Sequence, residues 1–134
     1  MYYLFDRIKK ILERLRGAER LFLFLDYDGT VTPIVSHPEK AYLSEEMKGL
    51  LLSLKKNPRI LLAIVSGRSL RDTRNRVGVK GIYYVGNHGL EIFGPKQGTK
   101  WFVSKKIIQP LGGIRDRLND QFRDVEGILI EDKG

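Results

Sequence analysis

The sequence predicts an α/β fold with a parallel sheet. Three continuous apolar stretches read as buried strands: "LFLFL" at 21–25, "ILLAIV" at 60–65 and "IYYV" at 82–85. The segments between them carry apolar residues at helical spacing. Strands of this kind alternating with amphipathic helices predict a parallel sheet covered on both faces.

Each element has its own signature. Leu4, Ile8, Ile11, Leu12 and Leu15 share one helical face, Gly17 is a natural C-cap, and this first helix is expected to pack on the core. After the first strand comes a loop containing Pro33 and Pro38. Leu43, Met47, Leu50, Leu51 and Leu54 then return at helical spacing, with Ser44 as N-cap and Glu45 and Glu46 favouring the positive helix start. Asn57-Pro58 stops that helix. Beyond the second strand, Ser69 followed by Asp72 resembles a capping box that opens a short Arg-rich helix. "LEIF", "GPKQG" and "TKWFV" read as a hairpin around a glycine-rich turn. Ile107, Leu111, Ile114, Leu118, Phe122 and Val125 predict one further helix, weakened at Gly112-Gly113, and "GILIEDKG" predicts the start of another strand.

Composition narrows the function. With 134 residues, 42% hydrophobic, 30% charged and only 5 prolines, the chain suits one soluble globular domain, or one and a piece, rather than disorder. The absence of cysteine removes disulfides, thiolate metal sites and cysteine nucleophiles, so any nucleophile is oxygen or nitrogen. A net charge of +8 fits nucleic acid, a membrane surface or a phosphorylated substrate. The basic residues are scattered, with no basic block interleaved with aromatics, so neither a nucleic-acid nor a membrane partner is expected. No apolar run approaches the roughly 20 residues of a membrane span, and the expected location is cytoplasmic.

The chemistry gathers at strand tips. Ligands of an open parallel sheet sit beyond the carboxyl ends of its strands, where Asp26, Asp28, Ser66, Arg68, Asn87 and His88 would converge. Two carboxylates ending an apolar strand need compensation, because an unpaired buried charge costs several kcal/mol. A Mg²⁺ ion supplies it, since Mg²⁺ takes oxygen ligands and pairs with substrate phosphate. Asp26 then reads as a nucleophile that forms an aspartyl-phosphate, and Asp28 as general acid and base. The Thr30 hydroxyl is placed to hold a carboxylate or phosphate oxygen. The bland readings are a plain turn at Asp28-Gly29, an ordinary helix entry at Ser66-Gly67, a hydrogen-bonded loop residue at His88 and a solvated end at Glu131 and Lys133.

"DYDGT" after an apolar strand and "IVSGR" resemble the first two motifs of the haloacid dehalogenase superfamily. Together with "VGNHGLEI" and "EDKG", in this order, they are similar to the trehalose-6-phosphate phosphatase family. That resemblance implies a Rossmann-like haloacid dehalogenase core in residues 1–106 and the start of an α/β cap in 107–134. It implies Asp26 and Asp28 as catalytic residues and Mg²⁺ ligands, the latter through its backbone carbonyl. Ser66 would bind the phosphoryl group beside Gly67, Arg68, Asn87 and His88 would line the sugar side, and Glu131 and Lys133 would bind sugar hydroxyls. The implied substrate is trehalose 6-phosphate. The family's third motif, with its lysine, and its acidic fourth motif are not found in the sequence, so the N-terminal half of such an enzyme is expected. The first strand is then an edge, and a homo-oligomer or a complementary C-terminal half is the expected partner. The alternative is a non-catalytic domain of the same fold that pairs with another chain.

Overall fold

The computed structural model describes residues 3–131. Among them, one sheet has the strand order β1-β2-β3-β4-β5, with β1 Leu21–Asp26, β2 Ile60–Val65, β3 Tyr83–Gly86, β4 Glu91–Gly94 and β5 Gly98–Trp101. β1, β2 and β3 run parallel, and β4 and β5 fold back antiparallel as the expected hairpin. The helices are α1 Ile8–Gly17, α2 Glu45–Lys56, α3 Leu70–Val77, α4 Lys105–Ile108 and α5 Leu111–Gln121.

Local chemistry sets the helix ends. Ser44 Oγ accepts the Met47 N–H at 3.1 Å, which satisfies one of the free donors at the start of α2. Ser69 Oγ accepts the Asp72 N–H at 3.2 Å at the start of α3. Gly78, in the left-handed conformation, closes α3.

The core lies on one face of the sheet. Leu51 of α2 and Leu70 and Val77 of α3 bury against Leu62, Ile64 and Tyr84, with Leu23 and Leu25 packed alongside. Both crossover helices therefore cover the same face, as right-handed connections between successive neighbouring strands require. Cover on both faces was expected, and β1 departs from it. Its residues alternate between half-buried and exposed, leaving Phe22 60% and Phe24 65% exposed on the face away from α2 and α3. Among the described residues β1 is also the sheet's edge, as expected.

Three further expectations change. The first helix divides into a 3₁₀ turn, Leu4–Arg7, and α1, and α1 has no buried residue. Ile8, Leu12 and Leu15 of α1 stay open. The Arg59 guanidinium tethers the end of α1 by donating to the carbonyls of Arg16 and Ala18. Near the other end, Pro110 splits the single predicted helix into α4 and α5, because proline lacks the N–H that a helix interior needs. Ile128–Ile130 forms no strand, having no strand beside it among the described residues to pair its backbone groups. Among those residues no helix is long and apolar enough to cross a membrane.

Candidate active site

The tips of β1, β2 and β3 meet at one end of the sheet, held by main-chain bonds. Tyr27 N–H donates to the Val65 carbonyl at 3.2 Å, Ser66 N–H to Val85 at 2.9 Å and Asn87 N–H to Arg68 at 2.6 Å. Tyr27 separates the two aspartates and points into the core, where its hydroxyl donates to the Ala41 carbonyl at 2.9 Å. Burial pushes the pKa of that hydroxyl up. Strand alternation thus sends Asp26 to the open face of the sheet and Tyr27 to the covered one.

The aspartates have different surroundings. The Asp26 carboxylate is exposed, with no hydrogen-bond or ionic partner among the described residues. Asp28 is gripped at both oxygens, with Arg68 Nε donating to Oδ2 at 2.9 Å and Nη2 to Oδ1 at 2.7 Å. The Arg68 side chain is only 9% exposed. Two of its three remaining N–H donors reach Asp72 Oδ2 at 3.1 Å and the Pro38 carbonyl at 2.7 Å, and its guanidinium lies 5.3 Å from the centre of the Tyr27 ring. Hydrogen bonding to Asp28 raises its pKa beyond the usual arginine range.

A cleft of about 350 Å³ opens here, lined by Asp28, Gly67, Arg68, His88 and Glu131 among others. A Cβ at Gly67 would lie 2.5 Å from His88 Cε1, so a side chain there would displace the exposed His88 ring. Asn87 and His88 adopt positive φ of 49° and 54°, a conformation few non-glycine residues take, and it turns His88 over Gly67. Asp26, Thr30, Ser66 and Asn87 do not line this cleft. Ser66 is buried, and its hydroxyl accepts the Arg68 N–H at 3.1 Å. Thr30 is exposed in the turn after β1. Lys133 lies outside the described residues.

The donor chemistry fits a hard cation such as Mg²⁺ only sparsely. Asp26 offers an uncommitted carboxylate, Asp28's is taken by Arg68, and no cluster of three metal-ligating side chains occurs among the described residues. Water would have to fill most of the coordination sphere.

Three participants escaped the sequence reading. Asp72 links Arg68 to Arg76, whose Nε lies 2.9 Å from both Asp72 oxygens. The spacing Arg68, Asp72, Arg76, four residues apart at each step, was a visible signal. Tyr27 was visible only as an apolar residue between two acids. Glu91 is a buried carboxylate whose Oε2 accepts the Leu70 N–H at 2.7 Å, fastening β4 to the start of α3.

A three-strand parallel core with polar residues gathered at its carboxyl ends, extended by an antiparallel hairpin, is the fold of the haloacid dehalogenase-like hydrolases. One such hydrolase from B. subtilis superposes on 73% of this chain and 34% of its own, with a TM-score of 0.52 at 19% identity. Within that class, the chain belongs to the trehalose-phosphatase family, whose model matches residues 24–134. It is 33% identical over 132 residues to the probable trehalose-phosphate phosphatase D of Arabidopsis thaliana, covering 92% of this chain and 35% of that protein. It is 40% identical over 120 residues to the probable trehalose-phosphate phosphatase E of the same plant, covering 88% of this chain and 33% of the relative. The C-terminal domain of C. albicans trehalose-6-phosphate phosphatase shares the fold, with a TM-score of 0.80 at 24% identity over 93% of this chain and 43% of that one. The chain spans about a third of the length of the curated relatives it matches.

Proposed function

We propose that this chain is the nucleophile-bearing part of a Mg²⁺-dependent phosphatase acting on trehalose 6-phosphate through an aspartyl-phosphate. The observation that carries the proposal is the contrast at the tip of β1, an uncommitted Asp26 two residues from an Asp28 held at both oxygens. An attacking group must be free, whereas an acid–base group must be held in place.

In this reading an Asp26 oxygen attacks phosphorus, the bond from phosphorus to the sugar oxygen breaks, and Asp28 gives the departing oxygen its proton. Asp28 then takes a proton from water, which attacks the phosphorus of the aspartyl-phosphate. Phosphate leaves and the Asp26 carboxylate is restored. Each Asp28 oxygen keeps a lone pair beyond the one facing Arg68, so proton exchange remains open. Mg²⁺, held by Asp26 and the Asp28 carbonyl, would neutralise phosphoryl charge. Thr30 and Ser66 serve the phosphoryl group, the latter beside Gly67, while Arg68, Asn87, His88, Glu131 and Lys133 serve the sugar side. Arg68, His88 and Glu131 line one cleft, which supports grouping those three, whereas Asn87 and Lys133 rest on the family resemblance alone. Residues 107–134 are read as the start of a cap that follows the core of 1–106.

Phosphate release from trehalose 6-phosphate, measured with Mg²⁺ and again with a chelator, tests this. Chelator-sensitive release that disappears in Asp26→Asn is expected. Metal-independent release, or undiminished turnover in that variant, would contradict it.

The open edge and exposed rings of β1 favour a second reading, a non-catalytic domain that pairs with another chain. The partner is then a second copy or a complementary C-terminal half. No phosphate release, together with stable pairing, is its signature.

A further inference from the structure

We infer that Asp72 is a positioning residue for Asp28, acting through Arg68. The inference rests on the proposed acid–base role of Asp28. Charges alternate along the contacts in the order Arg76, Asp72, Arg68, Asp28. Arg76 Nε lies 2.9 Å from both Asp72 oxygens, Arg68 Nη1 donates to Asp72 Oδ2 at 3.1 Å, and Arg68 Nε and Nη2 reach the two oxygens of Asp28. Both arginines are pinned to the same loop, Arg68 at the Pro38 carbonyl and Arg76 at those of Glu39 and Ala41.

Helix capping does not account for this carboxylate. The cap at the start of α3 uses the Asp72 main-chain N–H and the Ser69 hydroxyl, so the Asp72 side chain is left for the two arginines. A guanidinium presents its donors in one rigid plane, so fixing Nη1 at Asp72 and Nη2 at Pro38 also fixes where Nε and the other Nη2 proton point. Asp28 is 48% exposed, and its orientation therefore depends on Arg68 more than on packing.

NMR of the Arg68 guanidinium tests the role, with Arg68→Lys assigning the signals. In the unaltered chain the Nη protons should be resolved and the Nε proton slow to exchange. In Asp72→Asn the Nη signals should merge and Nε exchange should quicken at least about tenfold, reflecting loss of an ionised acceptor. Should that variant not fold, Asp72→Glu, which keeps the charge but displaces it, should shift the same signals. A purely structural role for Asp72 predicts something else. Asp72→Asn and Arg76→Gln would then lower the thermal midpoint alike while the Arg68 signals stay resolved and unshifted, and that result would overturn the inference. Activity forms a separate arm. Asp72→Asn should lower kcat about tenfold with KM little changed, as expected of a group acting only on the chemical step. A chain that releases no phosphate at all would count against Asp28 as acid and base, while the Arg68 signals would still decide what Asp72 does.

Discussion

The chain is expected to self-associate through β1, and replacing Phe22 and Phe24 by lysine should leave a folded monomer. The rings are 60% and 65% exposed, so with roughly 200 Å² each they leave about 250 Å² of apolar surface open. Covering that surface is worth about 6 kcal/mol at ~25 cal/mol per Å². A symmetric pair covers it twice, about 12 kcal/mol, against an association cost of about 4–15 kcal/mol. The β1 edge, unpaired among the described residues, offers a separate edge-to-edge geometry worth about 1 kcal/mol per main-chain hydrogen bond. Lysine removes the apolar area and places charge on the edge, and because neither ring is in the core the fold should lose little. Sedimentation velocity at about 100 μM, within the range where exposed edges drive association, is the assay. A 15.4 kDa species from the unaltered chain, or a lysine variant that still dimerises, would refute the account of this edge.

The site and the core give other tests. Asp26→Asn should abolish any phosphatase activity and keep the fold, because an amide has nearly the shape of the carboxylate but does not attack phosphorus; unchanged far-UV circular dichroism checks the second part. Mg²⁺ alone should bind only weakly in calorimetry, given one uncommitted carboxylate among the described residues near the β1 tip; submillimolar affinity would mean further ligands. Gly86→Ala should destabilise by about 1–3 kcal/mol in urea unfolding, since its Cβ would sit 2.4 Å from the Leu70 nitrogen. Burial pushes the Tyr84 hydroxyl, which donates to the Val79 carbonyl at 2.6 Å, from 10.0 up to about 12. The folded state holds that proton more tightly, so this contribution is complete below pH 10 and lost as pH rises toward 12. Tyr84→Phe should flatten that loss, as alkaline unfolding will show.

Strand tips were legible because an apolar run that ends in polar residues marks its own boundary. Asp26 and Ser66 follow such runs directly and Asn87 after one glycine, and the structure brings all three tips to one end of the sheet. Exposure of β1 was less legible. Leu21 through Leu25 are apolar at every position, so the sequence carries no sign of which face is covered; that depends on where α2 and α3 land. Pro110 was in plain view, yet the apolar spacing on either side of it continued in register and masked the break. Asp72 was read for its backbone role in a cap, whereas its side chain serves two arginines one helical turn to either side. Glu91 is apparent only in three dimensions, because its partner is the main-chain N–H of Leu70, 21 residues away.

The central claim is that Asp26 takes up the phosphoryl group. The most direct measurement is rapid quenching of the chain with trehalose 6-phosphate and Mg²⁺, followed by mass spectrometry of the peptide containing Asp26 and Asp28. A single phosphoryl adduct on Asp26, removed by hydroxylamine as an acyl phosphate is and absent in Asp26→Asn, is the predicted result. Phosphate release with no adduct, or an adduct that persists in Asp26→Asn, would contradict the assignment.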